Sequence, residues 1–358
     1  MTNLDNLNDL NSLDPKQVGL SIEKLPNQIE QAWKESSGLH FPDDYRQIKN
    51  ICIVGMGGSY ISPEVVYYLY QRELKIPLVL VPDYNVPAFV DKDSLVVLSS
   101  YSGTTEEVLN AAEQAFSAGC KITGIAEGGK LKEWLQEKGL PGYFFTPTNN
   151  PSGQPRLGLG YMVTGIIGIF TSLGLVNTSN QDVEGVLSCL GDWNTKLSTK
   201  SSVKDNFAKD LAQKLQGNSV GVVAGEFLSG NAHVFANQLN ETAKNFSFYY
   251  FLPSLNHHLL EGMEHPSALG QSVKFVFLSS DLYSGKIRKR LDITKDILEK
   301  QKIEVAIIEL QGATKLVQAF EAISISSWTT YYLGLLYGVD PSKIPWVDYF
   351  KEQLAKSS

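Results

Sequence analysis

Residues 99–105 read Ser-Ser-Tyr-Ser-Gly-Thr-Thr, setting the hydroxyls of Ser99, Ser100, Ser102, Thr104 and Thr105 around Gly103. An apolar run at 95–98 leads in and Glu106-Glu107 leads out, the pattern of a strand passing through a turn into a helix. A helix N-terminus carries unpaired N–H groups and a partial positive charge, which suits an anion. Hydroxyl donors with no carboxylate among them point to a phosphate monoester, with Ser100, Ser102 and Thr105 as its ligands. The competing reading is a helix cap, because Thr104 and Glu107 have capping-box spacing. A cap needs one hydroxyl, and this turn carries five.

A second turn, Gly55-Met56-Gly57-Gly58-Ser59, follows the apolar run at 51–54. A dinucleotide fingerprint needs a third glycine where Tyr60 stands, and no phosphate-loop lysine follows. Gly57 and Gly58 instead allow the backbone to approach a sugar phosphate closely, with Ser59 adding a hydroxyl. No cofactor is expected.

His257, His258 and His265 lie close together with Glu261 and Glu264, so a zinc site is a rival reading there. Pro253 and Gly262 break regular helical ligand spacing, and no metal is expected. Glu241 lies opposite an apolar helical face formed by Ala232, Phe235, Ala236 and Leu239, where a solvated glutamate would also fall. Arg156 ends a Pro/Asn/Gly-rich loop at 146–156, and a surface arginine would look the same.

The elements that must position these residues alternate. Strands at 51–54, 78–81, 95–98 and 121–125 are separated by helices, one starting at the Ser62 cap with Pro63 in its first turn, another over 105–117. This predicts βαβ units and a parallel sheet with helices on both faces. Residues 1–48 read as a polar extension with a disordered start and a helix from about 22 to 35. The second half repeats the outline. Strands at 219–224, 273–278 and 305–309 precede helices over 230–244, through 300 and over 314–336. Pairing 51–58 with 220–225, and 95–100 with 275–280, predicts two doubly wound, nucleotide-fold-like domains related by internal duplication, at 49–155 and 156–358. The second copy has lost the hydroxyl cluster: Asp281 follows Ser279-Ser280 and would repel a phosphate.

A chain of 358 residues fits two cores. Its formal charge of −7 argues against general nucleic-acid binding. Three scattered cysteines fit a reducing cytoplasm. The uncharged segments 157–176 and 322–338 read as buried helices rather than membrane spans.

Gly-Met-Gly-Gly-Ser at 55–59, Ser-Tyr-Ser-Gly-Thr-Thr-Glu-Glu at 100–107 and Pro155-Arg156 resemble the sugar isomerase (SIS) domain superfamily. Within it, Asn-Gln-Leu-Asn-Glu-Thr-Ala-Lys at 237–244, Leu-Asn-His at 255–257 and Gly-Val-Asp-Pro at 338–341 resemble the bifunctional phosphoglucose/phosphomannose isomerases. The resemblance runs over roughly 50–358 and implies interconversion of glucose 6-phosphate, and mannose 6-phosphate, with fructose 6-phosphate through a cis-enediol. It implies Glu241 as the base and His257, from the neighbouring subunit of a homodimer, as the ring-opening residue. It also implies Arg156 at the enediolate oxygens, Lys351 in ring opening and Ser342 near the C2–C3 hydroxyls. The family commonly has Asn-His-Asn where this chain has Asn256-His257-His258. A non-catalytic sugar-phosphate-binding regulator and an amino-sugar phosphate isomerase are the alternatives.

Overall fold

Alternation of apolar residues builds the first sheet. Its strands are β1 (Asn50–Val54), β2 (Leu78–Val81), β3 (Ser94–Ser99), β4 (Lys121–Ala126) and β5 (Gly142–Phe144), all parallel in the order β2-β1-β3-β4-β5. The computed structural model describes residues 2–357. Ile51, Ile53, Leu95 and Val97 face a core that continues into the second half of the chain. Cys52, Val54, Val96 and Leu98 face a separate core that also takes in Val108, Ala111 and Leu131 from the helices Glu106–Ser117 and Gly129–Glu137. Both faces are covered, so the strands read as continuous apolar runs.

The second sheet contains β6 (Ser219–Gly225), β7 (Ser247–Leu252), β8 (Val273–Ser280) and β9 (Glu304–Leu310), again parallel, in the order β7-β6-β8-β9. The two sheets therefore share one strand order, and the expected pairings of β1 with β6 and β3 with β8 hold. Order reverses between β1 and β3, and between β6 and β8. The crevice beyond the strand C-termini at such a point is where open α/β sheets bind ligands.

Four expectations need correction. The start of the chain is ordered: helices Leu7–Leu13 and Val18–Glu23 precede the helix Leu25–Ser36. Leu4 and Leu10 are buried, and the fully buried Lys209 ammonium donates to the Leu4 carbonyl at 2.6 Å. The helix after β1 is Gly58–Tyr70, beginning a turn before Ser62, so Pro63 lies inside it. Pro63 cannot donate to the Ser59 carbonyl four residues back, and Ser99 Oγ donates there instead at 2.7 Å. The half-buried aromatic strand β7 and the three-residue β5 were not expected at all. The helix expected over 230–244 is Ser229–Glu241, which makes Glu241 its last residue.

Both uncharged segments are buried helices. Leu159–Ser172 packs on Leu25–Ser36, with Gly160 and Gly168 at places where a Cβ would overlap Gln28 and Ser36. Gly165 on the same helix abuts Ile125 of β4 and Tyr143 of β5. Lys315–Leu336 is buried from Leu316 onward, and its Ser327 and Thr329 hydroxyls donate to carbonyls four residues back. No described helix is long and apolar enough to cross a membrane. Cys52, Cys120 and Cys189 are unpaired.

Candidate active site

The hydroxyl turn closes the C-terminal end of β3. Gly103 has φ +67°, and a Cβ there would collide with the Gly128 carbonyl, so glycine is required. The hydroxyls pair with one another: Ser100 with Thr105 at 2.8 Å, and Ser102 with Thr104 at 2.9 Å. Ser100 Oγ also accepts from the Gly103 N–H at 3.1 Å. Thr105 is the N-cap residue of the helix Glu106–Ser117, yet its side chain makes no capping hydrogen bond. The capping box is therefore absent, and the first-turn N–H groups remain open to a ligand.

The glycine turn after β1 lies alongside. Gly57, at φ +52°, caps the helix Gly58–Tyr70. Ser59 joins the two turns, its Oγ accepting from the Tyr101 N–H at 2.9 Å while its carbonyl takes the Ser99 hydroxyl. Tyr101 packs on Gly158 and accepts from Asn150 Nδ2 at 2.9 Å, which fixes the loop carrying Arg156 beside both turns. A Cβ on Gly58 would stand 3.7 Å from the Arg156 Cα.

Arg156, only 5% exposed, is the junction between the two halves. Its Nη2 donates to the carbonyls of Pro341 and Ser342 at 2.7 and 2.9 Å. Nη1 donates to Gln154 Oε1 at 3.0 Å, and Nε to Thr242 Oγ1 at 3.4 Å. Glu241 Oε2 lies 3.8 Å from Nη1, on a side chain 36% exposed. Burial pulls the guanidinium below its usual pKa, against the opposing charges of Glu241, Asp340 and Asp348. Nη2 is taken up by two backbone carbonyls and Nη1 by the Gln154 side chain. The guanidinium charge still faces Glu241.

Three participants were missed although their sequence stretches stood out. Lys244, at φ +56°, donates from Nζ to the Asp340 carbonyl at 2.8 Å. Desolvation, then the Arg156 charge, pushes this ammonium down to about 8, although solvent reaches the side chain. Asp340 Oδ1 accepts from the Ser342 amide at 2.9 Å and hydroxyl at 2.7 Å. Thr242 and Lys244 fall in the stretch 237–244 and Asp340 in 338–341, so the signal was their neighbourhood rather than their type.

Gly57, Gly58, Ser59, Ser100, Ser102, Thr105, Arg156, Glu241 and Ser342 thus belong to one region. His257 does not join it within one chain. It is exposed on the turn Ser254–His257 after β7, and no hydrogen bond or ion pair links it to Glu241 or Arg156. Its neighbour Asn256 is held by Thr294 Oγ1 at 2.7 Å and by Arg290 Nη1 at 3.1 Å. Among the described residues no three His, Cys, Asp or Glu side chains converge as metal ligands. Lys351 is exposed on the terminal helix Pro345–Ser357, whose Asp348 faces the Arg156 charge.

Residues 204–354 match the model of the bacterial phospho-glucose isomerase C-terminal SIS domain. A bifunctional phosphoglucose/phosphomannose isomerase from Caldicellulosiruptor bescii is 32% identical over 94% of this chain and 98% of its own length. The chain belongs to the bifunctional phosphoglucose/phosphomannose isomerase family. A D-glucosamine-6-phosphate 4-epimerase from Sulfolobus acidocaldarius is 31% identical over 66% of the chain and 72% of its own length. The fold is shared with a Thermus thermophilus hypothetical protein, at TM-score 0.76 and 15% identity over 98% of this chain and 94% of that one.

Proposed function

We propose that this protein interconverts glucose 6-phosphate and mannose 6-phosphate with fructose 6-phosphate. The observation that carries this is an uncapped, hydroxyl-lined helix N-terminus in the first half, opposite a carboxylate held next to a buried guanidinium at the edge of the second. One end suits a phosphate and the other a proton transfer, as an aldose–ketose isomerase requires. The names of the C. bescii relative and of the matching domain agree.

In this reading Ser100, Ser102 and Thr105, with the open N–H groups of the helix, hold the phosphate. The backbone of Gly57 and Gly58, with Ser59, lies along the sugar. His257 of a second copy and Lys351 move a proton between the ring oxygen and O1 to open the ring. Glu241 then removes the C2 proton, and the released electron pair forms the C1–C2 double bond as the carbonyl oxygen at C1 takes a proton. Returning the proton to C1, with loss of the O2 proton, gives the ketose. Every proton taken is returned, so no oxidant or cofactor is needed. Arg156 stabilises the negative charge on the enediolate oxygens chiefly through its buried positive field, since its donors hold the 341–342 carbonyls. Ser342 lies by the C2 and C3 hydroxyls and accepts either C2 epimer.

The test is exchange of solvent deuterium into fructose 6-phosphate followed by NMR, with glucose 6-phosphate, mannose 6-phosphate and glucosamine 6-phosphate run in parallel. The first two should exchange, and Glu241→Gln should abolish exchange while substrate still binds. Exchange that survives Glu241→Gln overturns the base assignment, and turnover of glucosamine 6-phosphate alone overturns the substrate assignment. Mixing inactive Glu241→Gln and His257→Ala proteins should restore activity if the site spans two chains.

A further inference from the structure

Glu64 and His233 form a hydrogen bond, through His233 Nδ1, that the reaction above does not use. Both side chains are largely buried, at 9% and 14% exposure. They sit on the two helices that carry the site. Glu64 is on Gly58–Tyr70, which starts at the glycine turn, and His233 is on Ser229–Glu241, which ends at the base. The helices meet at backbone level, where a Cβ on Gly230 would lie 2.7 Å from the Val65 Cα and amide nitrogen. The Gly58 end reaches Arg156, and so does the Glu241 end, so the helices run in opposite directions. Along its helix Glu64 is about 9 Å from Gly58, and His233 about 12 Å from Glu241.

A glycine against backbone sets how closely two helices approach, but such an apolar contact leaves them free to slide along their axes. A directional hydrogen bond between two largely buried polar groups removes that freedom, because sliding would strand both without partners. The ring is fixed on its other sides as well. It stacks on Tyr249 of β7 at 4.1 Å between centroids and meets the Tyr60 ring edge-on at 6.2 Å. Among the described residues no lysine or arginine forms an ion pair with Glu64, and the hydroxyls of Tyr60, Tyr68 and Tyr249 lie within range of its carboxylate. We propose that Glu64 and His233 are positioning residues that fix the register between the glycine turn and Glu241. The inference rests on the isomerase reading for its kinetic consequence only.

The test separates bond from ring. His233→Phe keeps the stack on Tyr249 and removes the donor, whereas His233→Asn removes the ring and keeps an N–H near the Nδ1 position. His233→Phe should lower kcat about ten- to a hundredfold, the scale of a small misplacement of a reacting group. Its KM should stay within about twofold because the phosphate grip is untouched. His233→Asn should restore most of kcat. Amide hydrogen exchange over residues 237–244 should quicken in His233→Phe and not in His233→Asn. If a stranded Glu64 prevents folding, Glu64→Met/His233→Phe removes both polar groups and should show the same slow kcat and quickened exchange. Should the wild-type protein fail to isomerise, the proposed reaction falls while the exchange comparison still decides this inference. Unchanged kcat and exchange in His233→Phe, or equal damage in His233→Asn, overturns it.

Discussion

Both halves run a central strand through a turn into a helix, and the two turns meet opposite fates. After β3 the helix Glu106–Ser117 begins with no side-chain cap, ringed by the Ser100, Ser102, Thr104 and Thr105 hydroxyls, which pair with one another or with the turn itself. After β8 the helix Gly285–Lys300 also begins without a side-chain cap, but the amide of its N-cap residue Ser284 donates to the Glu226 carboxylate at 3.2 Å. Glu226 reaches it from the end of β6 with φ +47°, and Arg72 of the first half stands 3.7 Å away. Ser280 is also engaged, donating to Gln318 and accepting from the Leu282 amide. The buried Tyr283 fills the remaining crevice, bonding the Leu278 carbonyl at 3.1 Å and the Gly225 amide at 3.2 Å. One fold position is thus an uncapped, hydroxyl-lined helix end in one copy and a filled structural joint in the other. A protein carboxylate stands beside the turn of the second copy, where the first carries the turn proposed to hold phosphate.

The contrast can be broken most sharply by giving the first turn a carboxylate of its own. Thr105→Glu should raise the KM for glucose 6-phosphate on the order of a hundredfold through like-charge repulsion in a partly enclosed site. Thermal stability should hold or rise slightly, because an acid at a helix N-terminus adds about 0.3–1 kcal/mol. Steady-state kinetics beside a melting curve check both, and a raised KM together with a lowered melting temperature would mean the turn had simply been damaged. Ser100→Ala comes next. It deletes a proposed phosphate ligand and one of two acceptors of the Gly103 amide, the other being the Ser100 carbonyl at 3.2 Å, so KM should rise about tenfold with a stability loss of at most about 1 kcal/mol.

In the second half, Glu226→Ala should cost about 1–2 kcal/mol in a urea melt, as lost helix-end partners do, with the same KM as wild type. A changed KM there would make the second turn part of the site. The smallest effect lies where the halves meet. Lys244 has a folded-state value of about 8 against 10.5 for the free amine, so between these values the unfolded chain binds more protons. Stability should therefore gain with rising pH across about 8 to 10.5, and Lys244→Met should flatten that gain in urea midpoints measured over the range.

Much of this was readable before any coordinates because it is local. The hydroxyl turn needs only consecutive residues and a strand-to-helix switch, and Gly103 with its neighbours supplies both. The repeat was readable from strand spacing, and the shared strand order bears it out. Other features escaped for physical reasons. β7 reads Ser-Phe-Tyr-Tyr-Phe-Leu, with no apolar/polar alternation to mark it, since it lies at a sheet edge with four half-buried residues. Leu4 and Leu10 sit in a polar stretch, and their burial depends on partners far away in sequence such as Lys209. Pro63 suggested a helix start, but the carbonyl it leaves free is served from another strand by Ser99.

The sequence by itself determined the chemistry on offer: a hydroxyl turn fit for phosphate, a Gly-Gly-Ser turn, a carboxylate near a helix end, and two copies of one strand–helix spacing. These depend on neighbours along the chain, and short-range sterics and backbone hydrogen bonding act there. Only the tertiary structure decided which copy stays open, that Arg156 grips the 341–342 backbone beside Glu241, and that Glu64 on one helix meets His233 on another. Those contacts join residues distant in sequence, and packing of the two halves against a continuous core sets them.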